Sequence, residues 1–146
     1  MEMIVGGAWQ GKTAYVRTHY PEKCFLQSGQ LSEEELFSAQ GLLDLHMYIR
    51  KALEEGRDVS CLAENLCEKN PELVLTVQEL GSGVVPMDPF ERRYRELTGR
   101  ICTYLAAKST RVIRIVAGIP MILKDSGMNC DRAEERQDGK QKFSRL

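Results

Sequence analysis

Several features that mark other classes of protein are scarce in this sequence of 146 residues. No apolar run approaches the roughly 20 residues that a membrane-spanning helix needs, and the longest, Val116–Leu123, is interrupted by Gly118 and Pro120. The N-terminus has neither the basic segment nor the long apolar segment of a signal peptide. The 20 lysines and arginines are balanced by 21 aspartates and glutamates, so a general nucleic-acid binder is not expected either.

The cysteines also indicate neither a disulfide framework nor a metal site. The five cysteines are odd in number, and no two are spaced as Cys-x-x-Cys. Neither a disulfide framework nor a zinc site is therefore predicted, and we interpret the cysteines as reduced thiols of a cytoplasmic protein. The apolar fraction of 42% and the charged fraction of 28% are ordinary for one globular domain of this length.

Short apolar segments that alternate with helical patterns are present. They predict an α/β fold, in which helices flank a mainly parallel sheet in a single domain. Strands are expected at Met1–Val5, Leu73–Val77 and Arg111–Ala117, with a weaker one at Cys24–Gln27. Helices are expected at Lys12–His19, from Ser32 to about Glu55 with a break near Gly41 as an alternative, at Val59–Glu68, and after Asp88.

Two helix starts carry specific capping residues. Ser32 with Glu35 forms the pattern of a capping box, and Asp88 precedes Pro89 at a first helical position. Gly99 lies inside the helix that Asp88 begins, where glycine costs about 1 kcal/mol relative to alanine. The expected compensation is a close approach of another element to Gly99.

The first strand is followed by a phosphate-binding pattern. The octet reads Gly6-Gly7-Ala8-Trp9-Gln10-Gly11-Lys12-Thr13 and fits G-x-x-x-x-G-K-[ST]. Glycines allow backbone N–H groups to converge on phosphate oxygens, and the helix that begins near Lys12 directs its positive end to the same place. All eight residues are therefore predicted to bind a nucleotide, with Lys12 on the β- and γ-phosphates and the Thr13 hydroxyl on Mg²⁺.

The alternative for this octet is an ordinary glycine-rich turn with an exposed lysine. Trp9 is unusual inside such a loop, and it either stacks on a base or covers the loop. A second candidate residue is Glu79, which ends an apolar strand where ligands of open α/β sheets bind. It either orients a hydroxyl or a metal ion, or it only caps a turn.

Four blocks, in this order and spacing, give the sequence a family resemblance. They are Gly6-Gly7-Ala8 at the start of the phosphate loop, Glu79–Pro86 (Glu-Leu-Gly-Ser-Gly-Val-Val-Pro), Arg93–Arg100 with Leu105-Ala106-Ala107, and Val112–Pro120 with Leu123-Lys124. Together they resemble the adenosylcobinamide kinase / adenosylcobinamide-phosphate guanylyltransferase family of cobalamin biosynthesis. The sequence looks like a shortened and divergent member.

The resemblance implies a RecA-like P-loop fold, often in a homo-oligomer, and two activities. One phosphorylates the aminopropanol hydroxyl of adenosylcobinamide with ATP or GTP. The other transfers GMP from GTP to that phosphate through a guanylylated histidine. The middle of the chain departs from the family, because Gln27–Asn70 shows neither the usual histidine motif nor the apolar strand that ends in Asp or Glu, and Gln78 replaces an asparagine.

His46 is the candidate for the guanylylated histidine. It is expected on a helix, where Arg50 one turn later can reach the same phosphate. The alternative is a half-buried histidine on an apolar stripe with Leu42, Ile49 and Leu53.

The sequence thus predicts a P-loop kinase domain at residues 1–124, followed by a charged, flexible tail at 125–146. The predicted reaction is phosphorylation of adenosylcobinamide by ATP or GTP with Mg²⁺, in which Lys12, Glu79 and His46 are the candidate catalytic residues. The alternatives are a nucleotide-binding module without transferase activity and a kinase of another small hydroxylated metabolite.

Overall fold

Six strands form one mixed sheet in the computed structural model, which describes residues 1–127. The strand order is β2-β3-β4-β1-β5-β6, and every neighbouring pair is parallel except β5 and β6. The strands are β1 (Glu2–Gly6), β2 (Phe25–Gln27), β3 (Gly41–Leu43), β4 (Val74–Gln78), β5 (Arg111–Val116) and β6 (Ile119–Asp125). The prediction of an α/β fold with a mainly parallel sheet is confirmed.

Helices cover both faces of this sheet. They are α1 (Lys12–His19), α2 (Glu33–Ser38), α3 (Leu45–Glu54), α4 (Leu62–Lys69) and α5 (Pro89–Lys108). One apolar cluster joins Val16 of α1 to Ile4 and Ile113 on one face. A larger cluster joins α2, α3, α4 and α5 to the other face, through side chains such as Leu75 and Val112. Among the residues described, no helix is long and apolar enough to cross a membrane.

The predicted helix starts are confirmed. Ser32 and Glu35 form both hydrogen bonds of a capping box, and the Asp88 carboxylate accepts from the N–H groups of Phe90 and Glu91. Of the charged tail predicted at 125–146, the structure describes only residues 125–127. Asp125 is the last residue of β6. The rest of that prediction lies outside the described residues.

Between Ser32 and Glu55, the prediction of one unbroken helix is wrong and the alternative, a break near Gly41, is confirmed, because β3 divides the segment into α2 and α3. Gly41, Leu42 and Leu43 are all buried between β2 and β4. A strand of three residues that is buried on both faces has no alternation by which the sequence could reveal it. Gly41 is required here, since a Cβ would lie 2.4 Å from the Phe25 ring.

Strand β6 was not predicted at all. Ala117 and Gly118 both have positive φ, of 50° and 78°, which is the backbone of a tight hairpin turn between β5 and β6. Pro120 is tolerated because β6 is the edge strand of the sheet.

The explanation expected for Gly99 is also wrong. A Cβ at Gly99 would meet no heavy atom of the described residues within 4 Å. No close backbone approach therefore compensates for this glycine inside α5.

Gly99→Ala is accordingly expected to stabilise the protein by about 1 kcal/mol, because alanine restricts the unfolded chain and nothing obstructs its methyl group. The melting temperature should rise by about 3 °C. Gly56→Ala is the matched control, since Gly56 also faces open space but has a left-handed φ of 71°. That variant should be destabilised by roughly 1 kcal/mol. A lower melting temperature for Gly99→Ala would show that the position is packed after all.

Candidate nucleotide-binding site

Two glycines of the loop between β1 and α1 lie at positions that other residues could not occupy without strain. A Cβ at Gly6 would lie 2.5 Å from the carbonyl oxygen of Ile115 on β5. Gly11 has a φ of 94°, and a Cβ there would lie 3.4 Å from the Cα of Gly118. Both glycines of the predicted pattern are thus required by sterics or by backbone conformation.

Lys12 lies at the first position of α1 and bends back over the loop. Its Nζ donates a hydrogen bond to the carbonyl oxygen of Gly7 at 2.7 Å, and the residue is only 7% exposed. Burial lowers the pKa of this ammonium group, and the charges of Asp44 and Glu79 oppose that shift. The exposed lysine of an ordinary glycine-rich turn is therefore not what the structure contains.

Gln10 fastens the loop to the hairpin between β5 and β6. Its side-chain oxygen accepts from the Ala117 N–H at 2.6 Å, and its carbonyl oxygen accepts from the Gly118 N–H at 2.9 Å. Trp9 has a positive φ of 60° and is fully exposed, so its side chain does not cover the loop. The sequence pattern places Gln10 and Trp9 in the loop, but it reveals neither the hydrogen bonds of Gln10 nor the exposure of Trp9.

A cleft of about 560 Å³ opens beside the loop, which is an ordinary size for a small-molecule site. The ends of β2, β3 and β4 form its other side. Its lining residues are Ala8, Trp9, Gln10, Gly11, Lys12, Thr13, Ala14, Gln27, Asp44, His46, Met47 and Gln78.

Asp44 is a residue of this cleft that the sequence reasoning missed. It follows β3 with a left-handed φ of 55°, its N–H donates to the buried Thr76 hydroxyl at 2.9 Å, and its carboxylate accepts from Gln27 at 3.0 Å. The apolar strand that ends in an acid, which the resemblance implies, is therefore present as Gly41–Leu43 followed by Asp44. The sequence analysis does not identify this strand, because it assigns the segment to a helix or to the break within it.

Magnesium fits the oxygen atoms of this cleft. Within residues 1–127, no group of three or more His, Cys, Asp or Glu side chains is placed to hold a metal by itself. Thr13 and Asp44 both line the cleft, however, and supply one hydroxyl and one carboxylate. Mg²⁺ bound to nucleotides takes few protein ligands and completes its shell with phosphate oxygens and water.

His46 lies in the first turn of α3 and forms part of the cleft wall. It is 6% exposed, and its Nδ1 accepts a hydrogen bond from the Gln78 N–H at 3.3 Å. Burial lowers its pKa; the charge of Asp44 opposes the shift and that of Lys12 adds to it, so the ring is neutral at pH 7. An Nδ1 that accepts leaves the proton on Nε2.

Two details predicted around His46 are wrong. Leu42 belongs to β3 and not to the helix, so it shares no helical stripe with His46. The Arg50 guanidinium does not line the cleft, because it is paired with Glu54 at 3.0 Å and with Glu91 at 2.6 Å.

Glu79 lies directly after β4, beside the cleft but outside its lining. Its N–H donates to the carbonyl oxygen of Gly6 at 3.0 Å, which ties the end of β4 to the start of the phosphate loop. Its carboxylate is paired with Arg114 at 2.9 Å. The preceding residue, Gln78, lines the cleft in its place.

Comparison with known proteins agrees with this architecture. The family described as cobinamide kinase / cobinamide phosphate guanyltransferase matches residues 29–123, which is more than half of the chain and begins after the phosphate loop. The bifunctional adenosylcobalamin biosynthesis protein CobU of Salmonella typhimurium is 36% identical over 91 residues, or 61% of this chain and 50% of that protein.

Two further curated relatives match shorter segments. CobU of Escherichia coli is 36% identical over 59 residues, or 40% of this chain and 33% of that protein. The bifunctional adenosylcobalamin biosynthesis protein CobP of Pseudomonas aeruginosa is 40% identical over 63 residues, or 43% of this chain and 36% of that protein. The matches thus span half or less of the relatives' length. The chain belongs to the cobinamide kinase / cobinamide phosphate guanyltransferase family.

Proposed function

We propose that this protein binds a nucleoside triphosphate in the cleft beside its phosphate loop and transfers the γ-phosphoryl group to the hydroxyl of adenosylcobinamide. One observation carries the proposal: the buried Lys12, the Thr13 hydroxyl and the Asp44 carboxylate line one cleft at the carboxyl ends of parallel strands. The names of the relatives, which are adenosylcobalamin biosynthesis proteins, support the choice of acceptor.

The loop and Lys12 hold the phosphates. Backbone N–H groups of Gly6–Thr13 and the N-terminal end of α1 supply positive potential, and the Lys12 ammonium exchanges the Gly7 carbonyl for a phosphate oxygen. Thr13 and Asp44 are the residues that would hold Mg²⁺, which would neutralise phosphate charge. With the charge fixed in this way, the cleft stabilises the transferring phosphoryl group electrostatically.

Glu79 is proposed to orient the acceptor hydroxyl. In the transfer, the alcohol oxygen bonds to the γ-phosphorus, the bond to the β-phosphate oxygen breaks, and the nucleoside diphosphate leaves. The alcohol proton passes to the Glu79 carboxylate, which is paired with Arg114, while the Glu79 backbone N–H is bonded to Gly6 of the loop.

For His46, the geometry supports a nucleotide contact better than a guanylylated intermediate. A nucleophilic Nε2 needs a free lone pair, whereas the bond from the Gln78 N–H to Nδ1 favours the ring with its proton on Nε2. In this tautomer the Nε2–H can donate to a phosphate oxygen. Incubation with GTP labelled at the α-phosphate is therefore expected to leave no label on the protein, and stable labelling that His46→Gln abolishes would contradict this assignment.

Nucleotide binding is directly measurable, because Trp9 is the only tryptophan and lies in the loop. ATP or GTP with Mg²⁺ should change its fluorescence, and adenosylcobinamide should then gain a phosphoryl group that mass spectrometry detects. No fluorescence change at millimolar nucleotide would refute the binding site. Binding without transfer to adenosylcobinamide would instead favour a non-catalytic nucleotide-binding module or another hydroxylated acceptor.

A further inference from the structure

Asp44 has a backbone conformation that is unusual for its position at the start of α3. An aspartate that precedes a helix usually has an extended backbone and caps the first turn with its carboxylate. Here φ and ψ are both 55°, and among the described residues the carboxylate bonds no N–H group of α3. It accepts instead from the Gln27 amide and lines the nucleotide cleft. The left-handed backbone thus directs the carboxylate to the cleft and not to the helix.

Two buried hydroxyl groups hold the peptide group between Leu43 and Asp44. The Leu43 carbonyl oxygen accepts from the Ser28 hydroxyl at 2.7 Å. The Asp44 N–H donates to the Thr76 hydroxyl oxygen at 2.9 Å. Ser28 and Thr76 are both 0% exposed, and we call them the hydroxyl clamp. Because a left-handed backbone is unfavourable for a residue with a Cβ, it persists only where contacts of this kind hold it.

The hydroxyl clamp lies where the regular pairing of β3 ends on either side. Strand β2 pairs with β3 as far as Gln27, and Ser28 is the next residue of the chain. Strand β4 pairs with β3 as far as Leu75, and Thr76 is the next residue. Continued pairing would keep the chain extended through Asp44. Side-chain hydroxyls supply the hydrogen bonds there instead, so the backbone can leave the extended conformation.

The hydroxyl clamp constrains Asp44 more firmly than the Gln27 amide does. A hydrogen bond that is shielded from water is the stronger kind, and a broken one leaves a buried polar group without a partner. Ser28 and Thr76 are shielded in this way, whereas Gln27 is exposed. Loss of either clamp hydroxyl should therefore release the Asp44 backbone.

We propose that Ser28 and Thr76 are positioning residues: they hold the Asp44 backbone in its left-handed conformation, so that the carboxylate faces Mg²⁺ and the phosphates. Without either hydroxyl, Asp44 relaxes to the extended conformation of an ordinary helix cap, and its carboxylate turns to the N–H groups of α3. Both residues act through Asp44, since neither lines the cleft. The inference rests on the function proposed above, because it explains how the proposed Mg²⁺ ligand is placed.

The experiment measures the Mg²⁺ dependence of nucleotide binding by the full chain. This quantity is the ratio of the ATP affinity in Mg²⁺ to the ATP affinity in EDTA, both reported by Trp9 fluorescence. Thr76→Val keeps the size of the side chain, removes the hydroxyl and should lower the ratio about tenfold or more, the usual effect of losing a group that orients a metal ligand. Ser28→Ala should lower it by a similar factor. An unchanged ratio in either variant would overturn the proposal.

Thr76→Ser is the matched control for damage to the core. It retains the hydroxyl and removes a buried methyl group, so it should melt below the unaltered protein, as Thr76→Val should. The Mg²⁺ dependence of its nucleotide binding should nevertheless equal that of the unaltered protein. An equal loss in Thr76→Ser and Thr76→Val would show that packing, and not the hydroxyl, is responsible, and would overturn the proposal.

A double variant tests whether the hydroxyl clamp acts through Asp44. When Thr76→Val is added to Asp44→Asn, the ratio should equal that of Asp44→Asn alone, because the carboxylate that Thr76 positions is already gone. A further fall in the double variant, as large as that caused by Thr76→Val in the unaltered protein, would mean that Thr76 acts independently. That result would contradict the inference.

Failure of this inference and failure of the proposed function are distinguishable. If Asp44→Asn lowers the ratio and Thr76→Val does not, the role of the hydroxyl clamp is wrong, while Asp44 remains the proposed Mg²⁺ ligand. If Asp44→Asn itself leaves the ratio unchanged, the Mg²⁺ assignment in the proposed function is refuted, and the inference with it.

Discussion

Replacement of Lys12 by methionine is expected to lower the rate of phosphoryl transfer by about 10²- to 10³-fold. The ammonium group lies over the phosphate loop, bonded to the Gly7 carbonyl. It is the cation placed to stabilise the negative charge that develops on the leaving phosphate oxygens. Methionine keeps the length and most of the volume of the side chain and removes only the charge. Transfer to adenosylcobinamide, followed by mass spectrometry over a time course, measures the loss.

The stability of Lys12→Met, unlike its rate of transfer, is not expected to fall. Burial lowers the pKa of Lys12, so below that pKa the folded protein carries an ammonium that is better solvated in the unfolded chain. Lys12→Met removes this penalty, and its melting temperature at pH 7 should equal or exceed that of the unaltered protein. A variant that melts lower and transfers slowly would indicate a structural role.

Lys51→Met is the matched control for the lost charge. Lys51 lies on α3 and does not line the nucleotide cleft. Its replacement should change neither transfer nor the Trp9 response. Comparable loss of transfer in both variants would show that net charge, rather than the position of Lys12, governs the rate.

The parts of the site that sequence reasoning could predict are those that local chemistry determines. The phosphate pattern is written in eight consecutive residues, and the caps at Ser32 and Asp88 need only a few neighbours each. Strands β1, β4 and β5 are five or six residues long, and each contains at least three large apolar side chains. In each case the information lies within one short window of the chain.

Asp44 and the surroundings of Gly99 depend on contacts between distant segments. The strand before Asp44 has three residues and exists because β2 and β4 pair with it on either side. Asp44 takes its left-handed conformation where Thr76, 32 positions later, accepts its N–H. Gly99 was expected to be packed, but only the assembled sheet and helix reveal that it borders a cavity.

Exchange of the Asp44 carboxylate for an amide is expected to change nucleotide affinity in opposite directions with and without Mg²⁺. With Mg²⁺ in excess, Asp44→Asn should weaken ATP or GTP binding at least about tenfold, since an amide is a poorer ligand for a hard cation. With EDTA present, the same variant should bind the nucleotide more tightly, because a negative charge facing the phosphates is gone.

Asp44→Asn is expected to leave the fold unchanged. Asparagine tolerates the left-handed backbone of Asp44, and its side-chain oxygen can still accept the Gln27 hydrogen bond. Titration of Trp9 fluorescence with nucleotide in either buffer gives both affinities on one sample. Asp58→Asn, an exposed change away from the cleft, should leave both affinities unaltered.

The sign of the EDTA result decides what Asp44 does. A fall in affinity of the same size in both buffers would mean that the carboxylate only shapes the cleft through Gln27, and the assignment to Mg²⁺ would be wrong. Opposite shifts require a charge that faces the phosphates and a metal between them, since Lys12 is unchanged in both buffers. Because the amide keeps the Gln27 contact, steric damage to the cleft cannot produce that pair of results.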